Sequence, residues 1–213
     1  MKGLIFYRLS ALAGLLLLST VCFSAEIGLS RQEVAGASPP VSVAAIIISG
    51  QIQAGDASKV EALVSQINQY SDHRQILRLL IHSPGGLIGE AMKIGKLLRA
   101  NGFEVFIPRE TRCISACVLI LAGGATRTIQ GQVGIDNPHF LRAAGPGDNV
   151  PALLAESKHI MREYYRSMGV LENLSDATFT VPPGAVHFLD QNELTQYHLT
   201  ASGSRQKPNP VLH

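Results

Sequence analysis

The chain has 213 residues, of which 46% are hydrophobic and 16% charged, with a formal net charge of +2. That balance suits one globular domain with a true core. It excludes a charge-rich disordered chain and gives no basic excess for nucleic acid. Aromatic residues make up 6% with no Trp, which argues against a platform for stacked bases.

The first 28 residues, "MKGLIFYRLSALAGLLLLSTVCFSAEIG", carry Lys2 and Arg8, then an apolar stretch, then small residues at Cys22 and Ser24. This layout predicts a secretory signal peptide over residues 1–24, cut after Ser24 or Ala25. The apolar stretch, about fifteen residues, falls short of the roughly twenty that a spanning helix needs. An exported chain, periplasmic or secreted, is the expectation, with an uncleaved membrane anchor as the alternative. Residues 25–42, polar and holding Pro39-Pro40, read as a linker or extended arm.

The predicted domain runs from 43 to 201. "VAAIIISGQI" (43–52) is a continuous β-branched run, as expected for a strand buried on both faces. "SKVEALVSQIN" follows as a helix with Val60, Leu63, Val64 and Ile67 on one face, and Ser58 with Glu61 is expected as its capping box. "QILRLLIHS" (75–83) is a second strand. "GEAMKIGKLLRANG" (89–102) is a second helix, closed by Asn101-Gly102. "FEVFIP" gives a third strand, "SACVLILAGG" a short apolar helix and "QVGID" a fourth short strand. "VPALLAESKHIMREYYRSMG" reads as a long amphipathic helix with Pro151 in its first turn. "DQNELTQYHL" reads as a shorter one, capped by Asp190 and Glu193. Residues 202–213 are expected to form a frayed tail. Alternating strands and helices imply a largely parallel α/β sheet with a helical C-terminal segment.

Two stretches carry chemical information. In "HSPGG" (82–86) a strand breaks into Pro-Gly-Gly before a helix, and paired glycines let the backbone turn sharply with N–H groups left pointing outward. Such donors can hold an oxyanion, although an ordinary tight turn reads the same way. In "RCISACVLILAGG" (112–124) Ser115 lies where a strand exit meets an apolar helix, the end of an α/β sheet at which ligands bind. A helix N-cap serine is the plain alternative. Cys113 and Cys117 flank it at i, i+4. That spacing within a helix is too wide for a relaxed disulfide, so a bridge requires Cys113 to leave the helix. Two small buried thiols are the simpler expectation.

Taken together, "GQI", "SPGG" and "SAC" followed by "LILAGG" resemble the serine peptidases of the Clp proteolytic-subunit type. So does the late "HFLDQNELTQYHL". The resemblance spans about residues 43–200 and is closest to an exported, Cys-flanked branch of the ClpP/crotonase superfamily. It implies a ClpP/crotonase-like fold built of repeated ββα and βα units, with Ser115 as nucleophile. The implied oxyanion hole is made by the N–H groups of Gly86 or Gly85 and of Ala116.

The family's histidine position falls on Asp136 in "VGIDNPHF". His139 lies three residues on, about 10 Å away along an extended chain and on the opposite face. Asn137-Pro138 is the turn that would return it to the site. A serine needs a base within hydrogen-bond reach, and Asp136 would serve only with a carboxyl pKa raised by burial. The orienting aspartate of the family is replaced by "TVPPGAV", with Asp176 upstream and Asp190 downstream.

The first reading is thus an exported serine peptidase acting on peptide or protein substrates, with Ser115 as nucleophile and His139 as base, Asp136 being the other candidate. The second is a catalytically silent relative that binds peptides or serves as an oligomeric interaction protein. The third is an acyl-CoA enzyme of the crotonase fold. No cofactor and no metal are expected, because the histidines are dispersed. Export separates the chain from the cytosolic ring ATPase that partners the family, so any activity would be ATP-independent. Homo-oligomers are typical of the family, and the helix at 151–168 is a candidate interface.

Overall fold

The computed structural model describes residues 24–38, 40–69, 74–138 and 149–200. Most of the expected signal peptide, together with His73, His139 and the expected tail, lies outside the described residues. Among the described residues no helix is long and apolar enough to cross a membrane.

The fold starts earlier than the sequence suggests. Ser24 bridges Gln51, the Ala25 N–H donates to the Gln51 carbonyl at 3.0 Å, and Ala25 is buried. β1 (Glu26–Glu33) then runs antiparallel to β2 (Val41–Ser49), from Glu26 opposite Ser49 to Glu33 opposite Ser42. The stretch expected as a linker or extended arm is therefore extended and paired with β2. Only Ile27 and Leu29 of β1 pack against the core. A strand with one solvated face shows period-two alternation, and here it is diluted by polar neighbours.

After β2 the chain forms α1 (Asp56–Gln69), β3 (Arg74–His82), α2 (Ile88–Ala100) and β4 (Glu104–Ile107). Next come β5 (Arg112–Ile114), α3 (Cys117–Gly123), β6 (Thr126–Ile129) and β7 (Gln132–Asp136). One sheet has the order β1-β2-β3-β4-β6, parallel apart from β1. A second, three-stranded sheet pairs β5 parallel to β7 and β7 antiparallel to β8 (Val186–Phe188). The two sheets meet where Ser83, just past β3, bridges Cys113 of β5.

α1 begins two residues before the expected cap. The buried Asp56 carboxylate accepts the Gln53 N–H at 2.8 Å, while Glu90 reaches over from α2 to accept the Ala57 N–H at 3.0 Å. Ser58 therefore lies inside the helix, and the Ser58–Glu61 capping box is not what starts it. A carboxylate from a neighbouring helix satisfies the same unpaired donors and suits the positive end of the dipole. Every residue of α3 is buried, as its wholly apolar sequence requires. α2 and α3 cross at glycines: a Cβ on Gly123 would lie 2.3 Å from the Gly95 Cα.

The C-terminal part docks on this frame. α4 (Val150–Ser167) starts with Asn149 accepting the Ala152 N–H, and α5 (Asn173–Thr180) follows. α6 (Gln191–Gln196) has the expected capping box of Asp190 and Glu193. Two arginines with no carboxylate partner among the described residues hold this part down. Arg127 of β6 donates to the carbonyls of Leu121 and Ala122 at the end of α3, of Met168 after α4 and of His198 after α6. Arg99 joins it at Ala122 and Met168.

Candidate active site

Ser115 is the first of the two residues that link β5 to α3. Its φ is +59°, a left-handed conformation that a residue with a side chain adopts at a cost of about 1–3 kcal/mol. Two backbone bonds hold it there: its N–H donates to the Gly134 carbonyl at 3.0 Å, and its carbonyl accepts the Val118 N–H at 2.9 Å. The cap position of α3 falls on Ala116, and no side chain caps the helix. The Ser115 hydroxyl is thus free of the N-cap role and has no hydrogen-bond partner among the described residues.

The diglycine bend lies directly against this turn. A Cβ on Gly85 would come 2.6 Å from the Ser115 Cβ and 3.0 Å from the Ala116 nitrogen; one on Gly86 would come 2.1 Å from the Ile52 carbonyl oxygen. Their φ values, +102° and +142°, likewise call for glycine. Ile52 donates to the Gly85 carbonyl at 2.8 Å and accepts from Leu87 at 3.0 Å, so the N–H of Gly86, between them, points away from Ile52.

The three expected donors are not equivalent. Gly85 N–H is already engaged by the buried Ser83 hydroxyl at 3.1 Å, while Gly86 and Ala116 have no acceptor among the described residues. Ser83 was not expected to have this role. Its identity was visible, but the contact of its hydroxyl with the Gly85 N–H appears only in the fold.

Cys113 and Cys117 are bonded to each other, with Cα atoms 5.2 Å apart. This corrects the expectation of two free thiols. The condition for a bridge is met because Cys113 sits on β5 and only Cys117 on the helix, so the spacing is not that of two helical residues.

Ser115 and Gly86 open onto a groove of about 1010 Å³. Its walls come from the segment after β2 (Ile52), the start of α2 (Leu87, Met92), the end of β7 (Asp136) and α4 (Ile160). Leu87 and Ile160 are half exposed at its rim. Behind Ser115 a second hollow of about 10 Å³ is closed by Leu119, Met161 and Tyr165, enough for at most one water.

Asp136 faces the groove at the end of β7, and its Oδ1 is buried with no hydrogen-bond partner among the described residues. An orphaned buried oxygen calls for a donor. Directly after it, the Asn137 amide donates to the carbonyls of Phe179 and Val181, which ties the chain to the end of α5, and Pro138 is buried against the groove. His139 itself lies outside the described residues.

The other titratable candidates are held elsewhere. Asp176 pairs with Lys158 at 2.9 Å and with Arg162, and Asp190 caps α6. His187 is bonded to Glu193 at 2.7 Å. His82 accepts the Arg112 N–H at 3.1 Å, which steadies the strand leading into Ser115 without reaching the groove. Among the described residues no histidine or lysine lines the groove, and no cluster with metal-ligand character is present.

No protein-family model and no curated protein matches the sequence. Solved structures do match. Two are of the 1510-N membrane-bound stomatin-specific protease: a serine-to-alanine mutant, and a lysine-to-alanine mutant in complex with a substrate peptide. Each aligns with a TM-score of 0.58 at 16% identity, over 75% of this chain and 76% or 72% of the other. The fold is ClpP-like. At that identity the likeness is one of architecture, and the chemistry of this chain has to be argued from its own residues.

Proposed function

We propose that the protein is an exported, ATP-independent serine peptidase that cleaves peptide or protein substrates through Ser115. One observation carries this reading: a serine hydroxyl on a left-handed turn, against a diglycine bend and beside an open groove, where it and two backbone N–H groups have no partner among the described residues. The hydroxyl adds to the scissile carbonyl carbon. The oxygen of that carbonyl, now negative, takes hydrogen bonds from Gly86 and Ala116. One such donor is worth about 10²–10³ in rate. The serine proton passes to a base and then to the leaving amine, and water releases the acyl group from Ser115. His139 is the base in this reading, with Asp136 the other candidate. Self-association through α4 belongs to the same proposal.

Peptide binding without turnover is the second reading, favoured by the lack of a histidine or lysine along the described walls of the groove. A fluorophosphonate probe separates the two. Labelling of wild type that disappears in both Ser115→Ala and His139→Ala supports the peptidase. Labelling that survives His139→Ala but is lost in Asp136→Asn moves the base to Asp136, and no labelling of the folded wild type supports the silent binder.

A further inference from the structure

The Cys113–Cys117 bridge encloses Ile114, Ser115 and Ala116, and so contains both the nucleophile and one of the two free donors. Cys113 is also the point where three parts of the site converge. It pairs with Val133 in β7, whose neighbour Gly134 accepts the Ser115 N–H, and it bridges Ser83, whose hydroxyl holds the first glycine of the bend. Cys117 is the first residue of α3, adjacent to Ala116. A left-handed residue with a side chain persists only where its surroundings over-determine it. Here two backbone hydrogen bonds hold it, and the covalent link closes the same five-residue loop.

We propose that Cys113 and Cys117 are positioning residues for Ser115, and that the peptidase stays latent until this pair is oxidised. The inference rests on Ser115 being the nucleophile. Forming the bond removes two electrons and two protons from the two thiols. A protein disulfide accepts them by exchange and is left as a dithiol, or a small-molecule disulfide is left as two thiols, chemistry available in an oxidising compartment and suppressed in a reducing one. Both cysteines are fully buried in the folded chain. The bond therefore forms as the chain closes and afterwards resists exchange, which makes it a latch set once and not a reversible switch.

The test uses the full chain carrying Cys22→Ala, so that only the pair reports. Samples reduced with graded dithiothreitol are split for thiol counting by alkylation mass, fluorophosphonate labelling of Ser115, circular dichroism and amide hydrogen exchange. The expected result is labelling about tenfold slower or worse in the dithiol form, which still melts cooperatively. Exchange should be faster at 114–118 while the five-stranded sheet stays protected. The double variant Cys113→Ala/Cys117→Ala should behave as the dithiol form does. Equal labelling in both redox forms overturns the proposal, as does labelling lost only in step with global unfolding. If the oxidised chain does not label at all, the nucleophile assignment fails. The exchange arm then decides the positioning claim alone, and unchanged exchange at 114–118 sinks it.

Discussion

At the scale of single residues, the diglycine bend is the least replaceable feature. Gly86→Ala places a methyl 2.1 Å from the Ile52 carbonyl oxygen, a contact that only displacement of the backbone can relieve. It is expected to lower probe labelling at Ser115 by about a hundredfold, because the proposed Gly86 N–H donor moves with the backbone. Labelling rates compared with melting temperature would show whether site geometry fails before the fold does. Ser115 and the SPGG turn were legible because few residue types fit a strand that must reverse and expose its amides. Which of the two glycine amides is already engaged was not legible, since it turns on the hydroxyl of Ser83. The partner of the serine was not legible either: "VGIDNPHF" offers an acid and a histidine, and a turn rather than a residue type decides between them.

Between elements, what matters is contact across helices. Glu90 on α2 caps α1, and its carboxyl is held below the usual carboxylate range, first by the hydrogen bond from Lys93 and then by that from Ala57. A lowered folded pKa means the contribution is complete above the ordinary carboxylate pKa and disappears as pH falls through the folded value. Glu90→Gln is therefore expected to cost about 1 kcal/mol at neutral pH, the usual scale of a lost cap. Denaturant midpoints of wild type and variant should converge in acid. Gly95 is tighter still: a Cβ there would lie 1.9 Å from the Tyr164 hydroxyl, which donates to the Leu119 carbonyl. Gly95→Ala should cost about 1–3 kcal/mol or more by overpacking, read from chemical denaturation. The long elements α2 and α4 announced themselves through period and end signals, and α3 through its unbroken apolar run. The three-residue strands β5 and β8 had no period to show, and α1 took its cap from a residue more than thirty positions away.

For the molecule as a whole, the arginine pair joins the sheet domain to the helices after it. Burial lowers the Arg127 pKa to about 10, with the neighbouring charge of Arg99 adding to the effect, yet the guanidinium keeps carbonyl partners on three helix ends. Arg127→Met retains much of the bulk and removes those donors. It is expected to destabilise by about 2–4 kcal/mol and to uncouple the C-terminal helices, seen as a second, earlier melting transition. Nothing in the composition marked these two arginines, because their partners are backbone carbonyls that carry no sequence signature. The start of the domain has a different consequence. Ala25 is covered by its neighbours and its amide is tied to the Gln51 carbonyl. Under the export proposed above, a protease that removes residues 1–24 would have to grip the stretch around Ala25 in its own cleft, so the cut would have to come before the strand settles. On that proposal, slower export or faster closure would leave uncut chains that are otherwise native, and those two timings would set the ratio of long to short forms.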